Sequence, residues 1–126
     1  MKLVKYKDAP IRDFGKGLNL QILLDKENGA KNLDVGIVEI APKSETSMHV
    51  RLFEEVIMIL KGQGQVVTED GQVFILDEND CILIPAGVNH KHVNNTDKIM
   101  KQLYIFAPQS PNEIQKQLRS LSIAKK

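Results

Sequence analysis

At 126 residues, of which 42% are hydrophobic, the chain has the size of one domain with a substantial core. Four Phe, two Tyr and no Trp make that core mostly aliphatic. Seventeen basic against sixteen acidic residues leave a formal charge of +1, with no basic stripe along the chain, which excludes the electrostatic footprint of a nucleic-acid partner. No apolar run reaches the roughly eighteen residues a membrane span requires. The opening residues 1–8 lack the apolar stretch of a secretory leader. Cys81 has no second cysteine to pair with, which favours a reducing compartment. The expectation is a cytoplasmic protein in which Cys81 is a small buried apolar residue.

In chain order, residues 18–24 form an apolar, strand-like run, and 25–32 a polar turn around Asn28-Gly29. Residues 35–40 are a second strand, stopped by Ala41-Pro42, and 56–60 a third, closed by Gly62 and Gly64. Strands at 65–68 and 72–76 flank Glu69-Asp70-Gly71, a hairpin signal because Asp-Gly accepts positive φ at little cost. After the polar turn 77–80, strands at 81–84 and 90–94 bracket Pro85-Ala86-Gly87, and 101–106 is the last strand. Short strands at this spacing, separated by polar turns, indicate an all-β sandwich or barrel. The end of the chain changes period. Ser110 reads as an N-cap, Pro111 as the first helical residue and Glu113 as the capping-box acid, with Ile114, Leu118 and Leu121 forming an apolar stripe. This predicts a helix over 111–123 that covers an open barrel end or a dimer seam.

Two of these runs deliver chemistry. One holds His49 and Glu55, the other His90 and His92, each beside a Gly/Pro turn. Two imidazoles and a carboxylate with open positions form the ligand set of a non-haem iron or manganese site. Glu54 and Glu55 are adjacent, so strand alternation sends only one inward; His90 and His92 are two apart and share a face. An ionised Glu55 in the interior needs a cation or several hydrogen bonds. Gln102 and Tyr104 share one parity of their strand, Leu103 and Ile105 the other, and either set could line a pocket. Asn94 ties a turn or strand end through its amide. Nucleophile-elbow and phosphate-loop motifs are absent from the sequence, and Gly62-Gln63-Gly64 is a strand-ending turn with no helix behind it.

Over residues 35–107 the chain resembles the cupin family. That family's first motif runs His, any residue, His, then Glu, then a closing Gly; here His49, Glu55 and Gly62 fill it. Its second motif is matched by Pro85, Gly87, His90 and Asn94, with Asn79 standing where the leading Gly is expected. Asn is the mildest replacement for Gly in left-handed backbone. The departure is Arg51, which occupies the place of the first motif's second His. Arginine stays protonated and cannot ligate a metal. Two unit charges 4 Å apart repel by about 4 kcal/mol at an effective dielectric of 20, and a divalent ion doubles that. Either Arg51 swings away from a metal, or the metal is absent and Arg51 pairs with Glu55.

The resemblance implies a single domain over 1–126, a double-stranded β-helix or jelly roll with a short C-terminal helix, pairing as a homodimer through sheet packing or an exchanged N-terminal strand. It implies a divalent Fe, Mn, Ni or Zn ion on His49, Glu55 and His90, with a small organic molecule, anionic if Arg51 clamps it, in the barrel mouth. Arg51, His92 and Tyr104 are the candidate catalytic groups, His92 standing equally as a fourth ligand, a proton-transfer group or a bystander at the rim. The alternative is a metal-free module that binds a sugar or small acid without turnover. A purely structural role ranks last, because inward histidines and Glu55 are expensive core residues. Neither the reaction nor the substrate follows from the fold.

Overall fold

The computed structural model describes residues 1–124; the last two residues of the expected domain lie outside it. A 3₁₀ turn at Tyr6–Asp8 precedes ten strands: β1 (Arg12–Gly15), β2 (Leu18–Leu24), β3 (Asp34–Ile40), β4 (Ser44–Glu45), β5 (Glu54–Lys61), β6 (Gly64–Thr68), β7 (Val73–Leu76), β8 (Cys81–Ile84), β9 (His90–Asn94) and β10 (Met100–Ala107). One helix, α1 (Asn112–Arg119), follows. The strands form two antiparallel sheets, ordered β1-β2-β3-β10-β5-β8 and β4-β9-β6-β7. From β3 onward each connection crosses to the other sheet, except the β6–β7 hairpin, and this wrapping is the expected jelly-roll barrel. In the hairpin turn, Gly71 takes φ 90° and its N–H reaches the Thr68 carbonyl at 3.0 Å.

Period-two alternation decides what faces inward. On β5, Glu55, Ile57 and Ile59 are buried while Glu54 and Leu60 are exposed; on β10, Met100, Gln102, Tyr104 and Phe106 are buried. Ile40, Ile57 and Met100 have no solvent exposure, and each such side chain contributes about 1.5–3 kcal/mol by leaving water. Gly36 lies opposite Tyr104 in the β3–β10 register. A Cβ there would overlap the Tyr104 ring, so the glycine gives that ring its place inside the barrel.

The turns behave as their residues demand. Asn79 adopts φ 72°, the left-handed conformation for which Asn is the best substitute for Gly, and Gly87 adopts φ 85°. Asn94, fully buried, donates its amide toward the carbonyls of Ile40, Ala41 and Lys98 at 2.9, 3.1 and 2.7 Å and accepts from the Thr96 N–H at 3.0 Å. It thereby ties the end of β9 to the end of β3.

Four details differ from the sequence expectation. Strands β1 and β4 form where the local pattern carries no strand signal: β1 is charged and bulged between Asp13 and Gly15, and β4 is two residues paired to Asn94 and Val93. Both exist because a neighbouring strand offers an unpaired edge. Cys81 is exposed, not buried. It lies on β8, the edge of the larger sheet, opposite Met58 and on the parity that faces away from the core. The helix starts at Asn112, with Pro111 as its N-cap and no side-chain cap. The Ser110 hydroxyl and N–H go instead to buried Asp34, whose need for donors outweighs that of the helix end. The helix ends at Arg119, not 123; Leu121 packs against the core beyond it. The bidentate pair of Arg119 with Asp25, at 2.9 and 2.7 Å, pins the helix across one end of the barrel.

Candidate metal centre

His49, Glu55, His90 and His92 converge inside the barrel, each with a donor atom within 4.8 Å of the others. Glu55 comes from β5, His90 and His92 from β9 of the facing sheet, and His49 from the segment after β4. His49 and His90 are locked together by reciprocal backbone hydrogen bonds of 2.8 Å. Parity sends His90 and His92 to the same face, as expected, and both are buried.

Each ring is oriented differently from behind. His49 Nδ1 lies 2.9 Å from the Ser47 carbonyl, and His90 Nδ1 2.8 Å from the Val88 carbonyl. A carbonyl acceptor fixes the proton on Nδ1 and leaves Nε2 as the inward donor, the outer support that metal-bound imidazoles carry. His92 Nδ1 is buried with no hydrogen-bond partner among the described residues. Its Nε2 stands 3.4 Å from Glu55 Oε2, while His90 Nε2 stands 3.1 Å from Glu55 Oε1. Both carboxylate oxygens are therefore engaged by imidazoles.

Burial opposes the charged form of Glu55, but the hydrogen bonds and charges of His90 and His92 outweigh it and hold the carboxyl below the usual carboxylate range. Burial likewise disfavours a charged His90, yet the Glu55 and Val88 acceptors win and raise its pKa. His49 is pushed down to about 4, chiefly by burial, which exceeds the upward pull of the Ser47 carbonyl. It is a neutral donor at physiological pH.

This donor set fits a transition ion. Cis ligands at bond lengths of about 2.1 Å lie about 3 Å apart and trans ligands about 4.2 Å. The 3.1 and 3.4 Å separations already match the first, and the outermost donors need close only slightly. Carbonyls back His49 and His90 but none backs His92 among the described residues.

His49, Glu55 and His92 border a cavity of about 470 Å³ whose wall also includes Arg51, Gln102, Tyr104, Phe106 and, from α1, Leu118; His90 stands behind that wall, against Glu55. Of the two parity sets on β10, it is Gln102 and Tyr104 that line the pocket. Arg51 does not pair with Glu55. Its guanidinium carbon lies 5.8 Å from the centre of the Phe106 ring, while Glu55 is held by His90 and His92. Buried Asp34 carried no signal in the sequence: as the first residue of a strand it reads as a solvated turn acid.

A jelly roll with three imidazoles and a carboxylate converging inside it defines the class of fold and site. Residues 36–106 match the Cupin domain model, and the chain belongs to that family. It is 33% identical over 105 residues to acireductone dioxygenase from Leishmania major, covering 79% of this chain but only 30% of that protein's length. Among solved structures, the polyketide cyclase RemF from Streptomyces resistomycificus superposes with a TM-score of 0.77 at 23% identity, over 88% of this chain and 82% of its own. An RmlC-like cupin from Shewanella frigidimarina gives 0.75 at 20%, over 90% and 96%. These two likenesses speak to the fold.

Proposed function

We propose that this chain is a metal-dependent cupin enzyme acting on a small organic molecule in the barrel cavity. His49, Glu55 and His90 hold an Fe, Mn, Ni or Zn ion, and His92 stands beside them as a fourth ligand or a proton carrier. The observation that carries this reading is the convergence of four donors within 4.8 Å, with His49 and His90 backed at Nδ1 by carbonyls so that each ring turns Nε2 inward. The metal would supply a Lewis acid or a redox centre. The protein supplies the rest: Phe106 and Leu118 exclude water from one side of the cavity, and Gln102 and Tyr104 offer polar groups to orient the ligand. The likeness to a dioxygenase supports an oxygen-dependent reaction over the other cupin chemistries.

The test is elemental analysis of protein purified without chelator, then incubated with each metal in turn. One equivalent of a first-row ion is expected. Failure of every metal to bind stoichiometrically overturns the reading.

One observation favours a metal-free binding module instead: Glu55 is already satisfied by two imidazoles without any ion. The Arg51–Glu55 pair that such a module was expected to use is, however, not formed. A chelator that leaves the melting temperature unchanged would favour this second reading, since a tightly held ion raises stability by about 2.7 kcal/mol at a hundredfold excess over its Kd.

A further inference from the structure

We infer that the cavity's ligand is a small carboxylic acid with an apolar body, and that Arg51 binds its carboxylate. The inference rests on the reading of the cavity as the ligand site, but not on the metal. Arg51 Nε is shielded from solvent and has no hydrogen-bond partner among the described residues. The acids that share its cavity are occupied: Glu55 by His90 and His92, Glu45 by Lys91 at 2.9 Å. A guanidinium N–H shielded from water and facing no acceptor is a polar group left waiting for one, because the protein itself does not offset its desolvation. The Arg51 carbonyl, by contrast, is engaged by the Gly87 N–H at 2.8 Å, so the backbone is held where the side chain stands beside the cavity.

The shape of the donor selects the head group. A guanidinium presents parallel N–H bonds that match the two oxygens of a carboxylate. The wall selects the body: Leu18, Leu20, Val38, Phe106 and Leu118 line the same space. Polar groups such as Gln102 and Tyr104 share the wall, but most of its exposed area is apolar, so a short alkyl or aryl chain gains by leaving water there where many of a sugar's hydroxyls would go unpaired. Arg51 also lies near enough to disfavour a charged His49 and His90. An anion bound to it would relieve that repulsion beside the imidazoles.

Hexanoate, hexanamide, hexyl phosphate and gluconate, titrated calorimetrically into chelator-treated protein, test this. Hexanoate should bind about tenfold or more tighter than hexanamide, the worth of a charge-assisted pair. Arg51→Gln should erase that preference, while Arg51→Lys should keep part of it. Circular dichroism of both variants confirms the fold. The inference is overturned if hexanoate and hexanamide bind wild type equally or not at all, or if Arg51→Gln keeps the preference. It is equally overturned if gluconate or hexyl phosphate binds more tightly than hexanoate. The metal reading fails by a separate result, absence of metal by elemental analysis, and a carboxylate preference that survives it supports the role of Arg51 alone.

Discussion

His90 and Glu55 face each other across the barrel interior at 3.1 Å, and the far nitrogen of the same ring rests 2.8 Å from the Val88 carbonyl. His90 is thus held at both ends, while His92, 3.4 Å from the other carboxylate oxygen, has no hydrogen-bond partner for its far nitrogen among the described residues. Loss of the two rings should therefore differ. His90→Ala is expected to reduce metal content to background while circular dichroism stays native. His92→Ala is expected to retain metal with affinity weakened by about tenfold, the scale on which supporting groups act. Elemental analysis after equilibrium dialysis checks both. Equal metal content in wild type and His90→Ala contradicts the proposed ligand set.

The metal-free protein should lose stability on acidification before its carboxylates titrate. His49, with a pKa of about 4 in the fold, takes up its proton near 6.5 when unfolded. Between those values the unfolded state binds more protons, so stability falls as pH drops from about 6.5 to 4. His90 acts on the other side: its raised pKa gives stability that is complete below 6.5 and lost as pH climbs through the folded value. Melting temperatures of chelator-treated protein should peak near pH 6.5, and His49→Gln should flatten the acid limb. A profile that is level from pH 4.5 to 6.5 in wild type would sink the assignment of a neutral, half-buried His49.

Gly36→Ala should destabilise the barrel by about 1–3 kcal/mol, the usual cost of overpacking, because the new methyl takes the space of the Tyr104 ring. Urea denaturation measures the loss, and the altered near-ultraviolet dichroism of Tyr104 should accompany it. An unchanged denaturation midpoint would show that the ring has room to move.

The outward face of the larger sheet is apolar where an antiparallel sheet facing water alternates with polar residues. Leu103 pairs with Met58, Ile105 with Val56, and Val56 with exposed Leu83, all on the parity opposite the core. We propose that this face packs against a second copy. Analytical ultracentrifugation at micromolar concentration should show a dimer, and Leu83→Lys should shift it toward monomer; a wild-type monomer throughout would remove the proposal.

What the sequence determined by itself is what short-range sterics control. A residue's neighbours two positions away share its side of a strand, so the split between Glu54 and Glu55 and the shared face of His90 and His92 were legible from spacing, while the choice of Glu55 came from the resemblance's motif and the burial of His92 from the structure. Backbone that needs positive φ was legible at Asn79, Gly71 and Gly87 for the same reason: few side chains tolerate it. The tertiary structure decided whatever depends on partners remote in sequence. Ser110 left its helix for Asp34, 76 residues away; Arg119 settled on Asp25, 94 residues away; Arg51 turned from Glu55 toward Phe106. An unpaired sheet edge made strands of β1 and β4 and left Cys81 in water. A buried charge or hydrogen-bonding group takes the best partner the folded surroundings bring within reach, and that choice is made only when the two sheets close.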